Sequence, residues 1–120
     1  MIGQRGLVML KSCYRLKSPK DFRRTYQKGK FITNPYLVVY FRKNRQSNYR
    51  IGFSVSKKIG KAVVRNRVKR RLREICRLNE SLFPNGWDFI FVARVKIKDA
   101  SYQTMEKSLI NLMKRIREKK

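Results

Sequence analysis

The chain has 120 residues, room for one hydrophobic core and not for a second domain. Its 32 Lys and Arg stand against 7 Asp and Glu with no His, a formal charge of +25, so a polyanion is the default partner and affinity should fall steeply with salt. Hydrophobic residues at 42% and aromatics at 12% exclude a disordered basic tail; no apolar run approaches the roughly 20 residues of a membrane span.

The chain opens on an irregular basic lead, 1–17, and a single domain is expected over 18–118. The apolar run at 7–10 is shorter than the core of a signal peptide, and Met9 is an alternative start that would leave the first eight residues as an extension. Cys13 and Cys76 have neither metal-ligand spacing nor a disulfide framework, which fits a reducing cytoplasm. Ser18-Pro19-Lys20-Asp21 combines a capping serine, a proline at the first helical position and an acid three residues after the cap, so a short helix is expected to about Lys28. Gly29 is expected to end it in the left-handed conformation. Phe22 and Tyr26 lie one turn apart on this helix; the rings serve either the core or a stacking surface for unpaired bases.

Asn34-Pro35 reads as a turn, and 36–42 as a strand with Leu37, Val39 and Phe41 on one face and Val38, Tyr40 and Arg42 on the other. After a polar turn, 49–56 is the returning strand, Ile51, Phe53 and Val55 alternating with Gly52, Ser54 and Ser56. That second face is small-chained: it is either plain solvent surface or smooth enough for a sugar-phosphate backbone to lie close. Lys57-Lys58-Ile59-Gly60 forms a loop into a helix from Ala62 to about Asn79. Residues 57–73 hold nine Lys or Arg and no acid. At about 100° per residue Val64, Val68, Leu72 and Ile75 form an apolar stripe, with Asn66, Lys69, Arg70, Arg73 and Arg77 opposite. Arg71 falls beside the stripe, where its head would snorkel outward. With only Glu74 to interleave, this face suits phosphate oxygens better than water, a membrane surface or a calmodulin-like partner.

Phe83-Pro84-Asn85-Gly86 is a turn, 88–95 a third main strand, and Ser101 can cap a last helix. The helix buries Tyr102, Met105, Leu109, Leu112, Met113 and Ile116; residues 114–120 form a basic tail. The order helix, strand, strand, helix, strand, helix implies a small sheet packed with three helices, an α+β sandwich. If the strands flanking the basic helix are parallel neighbours, general rules favour a right-handed crossover.

Phosphodiester hydrolysis needs clustered carboxylates for metal or a His-type acid and base. The seven acids, Asp21, Glu74, Glu80, Asp88, Asp99, Glu106 and Glu118, show no pair spaced for one helix face, and no nucleophile has an activating neighbour. Residue spacing points to a binder, with no catalytic residue and no metal ligand set.

The run Ile51-Gly52-Phe53-Ser54-Val55-Ser56-Lys57-Lys58-Ile59-Gly60-Lys61-Ala62-Val63-Val64-Arg65-Asn66-Arg67-Val68-Lys69-Arg70-Arg71-Leu72-Arg73-Glu74 closely resembles the signature of the bacterial ribonuclease P protein subunit. The likeness extends to the Asp21-Phe22…Lys28-Gly29 helix, the strand at 36–41, the end of a strand at Val92-Ala93-Arg94 and the final helix, covering about 14–116. It implies a subunit of a ribonucleoprotein endonuclease that removes the 5′ leader of precursor tRNA, catalysis lying with the RNA and its Mg²⁺ ions. The expected partners are the catalytic RNA and the leader, with no DNA or membrane, and the protein alone is expected to be a monomer. It also implies a mainly antiparallel sheet in a two-layer sandwich with a left-handed βαβ crossover, against the general rule. By the same resemblance Arg65, Asn66, Arg67, Lys69, Arg70 and Arg73 face the catalytic RNA. Phe22, Tyr26 and Tyr40 form the leader cleft, bordered by Lys57, Lys58 and Arg94; Tyr26 stands where relatives often have Phe. Arg71 and residues 1–8 receive no role. The competing possibilities are a structural or ribosome-associated RNA-binding protein and a self-sufficient protein nuclease.

Overall fold

The computed structural model describes residues 14–119; the run at 7–10, Met9, Cys13 and the extension 1–8 lie outside the described residues. Three helices, α1 (Pro19–Lys28), α2 (Ala62–Leu78) and α3 (Tyr102–Lys119), pack on four strands: β1 (Lys30–Thr33), β2 (Leu37–Lys43), β3 (Arg50–Ser54) and β4 (Trp87–Ala93). The element order is the expected one with a strand added, β1, which pairs antiparallel with β2. The sheet order is β1-β2-β4-β3. β2 and β4 are antiparallel, β3 and β4 parallel neighbours, so α2 is the crossover between them and the fold is α+β with a mixed sheet.

One face of the sheet supplies Ile32, Leu37, Val39, Phe41, Ile51, Phe89 and Phe91 to the main core. Val68, Leu72, Ile75 and Cys76 of α2 and Met105, Leu109, Leu112, Met113 and Ile116 of α3 close it, as their helical spacing predicts. Burial pushes the Cys76 thiol well up, which keeps it a protonated core residue. Ser101 caps α3: its Oγ accepts the Thr104 N–H at 3.1 Å. Asn34 closes the β1–β2 hairpin, its Oδ1 accepting the N–H of Tyr36 and of Leu37 at 2.9 Å each, while its Nδ2 donates to the Ser108 carbonyl of α3. Gly86, at φ 86°, makes the turn before β4, in the region where an L side chain is strained.

The other face carries α1, and here three expectations change. Gly29 is extended, at φ −83° and ψ 168°, not left-handed. The position needs glycine because a Cβ would lie 2.5 Å from the Thr25 carbonyl oxygen and 2.7 Å from that of Phe41. Ser18 occupies the cap position without a side-chain hydrogen bond. Asp21, expected to serve that capping box, instead accepts from Arg50 Nη1 at 3.1 Å. Gly52 offers no open floor, since a Cβ there would meet the Phe22 ring at 2.5 Å; the small residue lets Phe22 seat α1 on the sheet.

Arg50 holds this junction together. Its Nε and Nη2 donate to the two oxygens of Asp88 at 2.9 and 2.8 Å, and Asn44 Nδ2 donates to Asp88 Oδ1 at 2.7 Å. Asp88 is 0% exposed; a buried carboxylate persists only when its lone pairs are met this fully. Short of the predicted start of the domain at Ser18, the lead also joins the fold. Leu16 is buried and donates its N–H to the Ile51 carbonyl at 2.9 Å, and Tyr14 stacks on Tyr49 with ring centroids 4.5 Å apart. This covers the outer edge of β3.

Candidate RNA interface

Two surfaces carry the residues singled out by sequence. The first is an aromatic run on the sheet face beneath α1. The register aligns Gly52, Ile90, Tyr40 and Phe31 across β3, β4, β2 and β1, so their side chains share that face. Phe22 and Tyr26 descend onto it from α1, their centroids 6.3 Å apart; Tyr26 meets Tyr40 edge-on at 4.8 Å, and Tyr40 lies 5.4 Å from Phe31. Phe22 is half-buried over Gly52 and so serves packing as well as the surface, whereas Tyr26 is 37% exposed. Burial raises the Tyr26 phenol above its ordinary pKa, a hydrogen bond with Ser54 partly offsets this, and Tyr40 adds to the rise. The phenol therefore stays neutral at physiological pH and can face an anionic ligand without repulsion.

The next row along the face is Ser54, Val92, Val38 and Thr33, low side chains that are half-buried or exposed. Beyond it lies a groove of about 550 Å³ lined by Pro35, Ser56, Lys58, Ile59, Arg94 and Lys96 among others. Lys58 and Arg94 thus share one groove at the end of the aromatic face. Arg94 Nη1 is held by Thr33 Oγ1 at 2.9 Å and the Asn34 carbonyl at 3.1 Å, which fixes its guanidinium at the hairpin. Lys57 is exposed on the adjoining short 3-10 turn, Lys57–Ile59.

The second surface is α2. Asn66 and Arg70 are exposed; Arg65, Arg67, Lys69 and Arg73 are half-buried. Arg65 Nε donates to the Gly60 carbonyl at 3.1 Å, tying the helix start to its loop. Lys69 and Arg73 turn toward the β3 edge, where with Arg15 and Lys17 they line a cavity of about 240 Å³ that also touches Phe22 and Gly52. Burial, and then the charge of Arg15, lower the Arg73 pKa from its ordinary value; like charges gathered in a hollow are the electrostatic counterpart of an anion. Arg77 does not belong to this array as the wheel implied. It pairs with Glu74 one turn back, Nη2 to Oε2 at 2.7 Å, and the pair neutralises itself. Arg71 is half-buried beside the apolar stripe.

The resemblance did not supply Phe31, because the short strand that carries it was not recognised. Its signal was present: three residues that favour strands, Phe31, Ile32 and Thr33, between Gly29 and the Asn34-Pro35 turn. No group of three or more His, Cys, Asp or Glu able to hold a metal occurs among the described residues, and Asp21 and Asp88 both accept hydrogen bonds from Arg50.

The comparisons with known proteins fall on one family. A family model described as Ribonuclease P matches residues 10–117. The chain is similar to the ribonuclease P protein component of Clostridioides difficile strain 630, 50% identical over 102 residues that cover 83% of this chain and 89% of the relative. It is similar also to that of Pelotomaculum thermopropionicum, 46% identical over 100 residues covering 83% and 89%. Among solved structures, the Staphylococcus aureus RNase P protein superposes with a TM-score of 0.80 at 38% identity, covering 86% of this chain and 94% of that one. The Thermotoga maritima RNase P protein gives 0.78 at 39%, covering 84% and 96%. On these matches the chain belongs to the Ribonuclease P protein family.

Proposed function

We propose that the chain is the protein subunit of ribonuclease P, the ribonucleoprotein endonuclease that removes the 5′ leader from precursor tRNA. The observation that carries this is the joining, in a member of the family, of a row of rings spaced for stacking with an uncompensated cationic helix on one rigid sheet. In this reading Arg65, Asn66, Arg67, Lys69, Arg70 and Arg73 lie against the catalytic RNA. Guanidinium forks and the Lys69 ammonium neutralise its phosphates while the apolar stripe anchors the helix. Phe22, Tyr26 and Tyr40 stack the unpaired leader bases, and Lys57, Lys58 and Arg94 meet the leader phosphates at the end of the cleft.

The protein then adds binding energy at a distance from the scissile bond and positions that bond, while the chemistry belongs to the RNA. Its donor set does not suit Mg²⁺ among the described residues, so the metal is assigned to the RNA partner. The complex works in the cytoplasm, with a monomeric protein subunit. No helix among the described residues is long and apolar enough to cross a membrane.

Incubating the purified protein with Mg²⁺ and precursor tRNA should leave the substrate intact, and adding a cognate catalytic RNA should release the leader. Cleavage by protein alone would overturn the assignment of catalysis to RNA. No cleavage with the RNA present would favour a structural RNA-binding role.

A further inference from the structure

The aromatic run does not stop at Tyr40. Phe31 continues it to the edge of the sheet, 5.4 Å from Tyr40, and is 59% exposed. A phenylalanine this open on an edge strand gains little from burial and leaves an apolar face in water, next to rings already spaced for stacking. Past Phe31 the chemistry turns cationic. Arg42 stands on the same face as Tyr40, two residues along β2, and Lys28 ends α1 beside it; with Lys30 and Lys43, whose positions alternate to the opposite face, they rim a cavity of about 400 Å³ over Phe41, Trp87 and Ile116. The lining contains four cations and no acid. An aromatic step leading to an uncompensated cationic rim fits a base followed by its phosphates; an acidic peptide would use the rim and leave the exposed ring without purpose.

We propose that the single-stranded leader runs past Tyr40, stacks at least one further base on Phe31 and delivers neighbouring phosphates to Lys28 and Arg42. The inference rests on the leader cleft proposed above. It assigns to this chain a longer leader track than Phe22, Tyr26 and Tyr40 alone provide.

The test is equilibrium binding of the reconstituted holoenzyme to precursor tRNAs with leaders lengthened one nucleotide at a time. Wild-type affinity should keep rising after Phe31→Ala has levelled off, with a gap of about fivefold or more at full length, as expected for one lost stack. Phe31→Tyr should restore the rise, since the ring is kept. For long leaders only, Lys28→Gln with Arg42→Gln should lower the slope of log affinity against log salt by about 0.7 per lost contact. If Phe31→Ala levels off where wild type does, while Tyr40→Ala still weakens leader-bearing RNA selectively, the extended track is wrong and the cleft stands. If Tyr40→Ala weakens leaderless and leader-bearing tRNA equally, the cleft reading falls and this inference with it.

Discussion

Arg50 and the arginines of α2 carry the same guanidinium in environments that ask opposite things of it. Arg50 is enclosed between Asp21 and the fully buried Asp88, with Nε and both Nη groups committed to carboxylate oxygens. Along α2 the only acid is Glu74, which pairs with Arg77. The fold neutralises charge where it must bury it and leaves charge uncompensated where the surface is open. Residue type therefore says little about an arginine's task; the count of carboxylates within reach says most of it. The consequence reaches the aromatic face as well, because Arg50 ties the first turn of α1 to β3 and so sets where Phe22 and Tyr26 stand over the sheet.

The largest expected effect breaks the enclosed side. Arg50→Met strands the Asp88 carboxylate with Asn44 as its remaining side-chain donor, and should cost about 3–5 kcal/mol in stability by denaturant unfolding. The double variant Arg50→Met with Asp88→Leu should recover much of this, since replacing both partners removes the unpaired charge. A loss below about 1 kcal/mol for the single variant would mean that the ion pair does not hold the junction.

A smaller effect, of another kind, is expected on the open side. Arg70 is exposed and takes part in none of the ion pairs found among the described residues, so Arg70→Ala should leave unfolding nearly unchanged. It should nonetheless lower the salt slope of catalytic-RNA binding by about one unit. An unchanged slope would remove Arg70 from the phosphate contacts.

The smallest effect sharpens the comparison by moving a residue from one class to the other. Hydrogen bonding to Arg77 holds the Glu74 carboxyl below its usual pKa, outweighing the opposing effect of burial. A depressed folded-state pKa stabilises the native state above the unfolded pKa, and that stabilisation is lost as pH falls through the folded value. Glu74→Gln should remove this acid-side dependence with a Tm change of about 2 °C or less. It should also free Arg77, raising the RNA salt slope by up to about one unit; a lower slope would contradict the view that the pair masks a cation.

How far these surfaces could be foreseen varies with the distance between the residues that build them. The stripe of α2 and the core of α3 follow from helical period alone, and both pack into the core, with Val64 and Tyr102 half-buried at its margin. The alternation of β2 likewise placed Leu37, Val39 and Phe41 inward and Tyr40 outward. β1 escaped because four residues are too few for alternation to stand out, and Phe31 was lost with it. Gly29 was correctly marked as special for the wrong reason, since what forbids a side chain there is the Thr25 carbonyl of the preceding turn together with the backbone of Phe41, twelve residues away.

Sequence alone determined the charge, the helical periods, the lack of spaced catalytic groups and, through a long ordered motif, the family. All of these depend on near neighbours or on composition. Tertiary structure decided what each marked residue touches: that Phe22 closes over Gly52, that Asp21 answers Arg50, and that Lys69 and Arg73 turn toward Arg15 and Lys17. Those pairings span strands and helices whose mutual placement is set by burying one shared core, and the spacing of residues along a single element does not encode it.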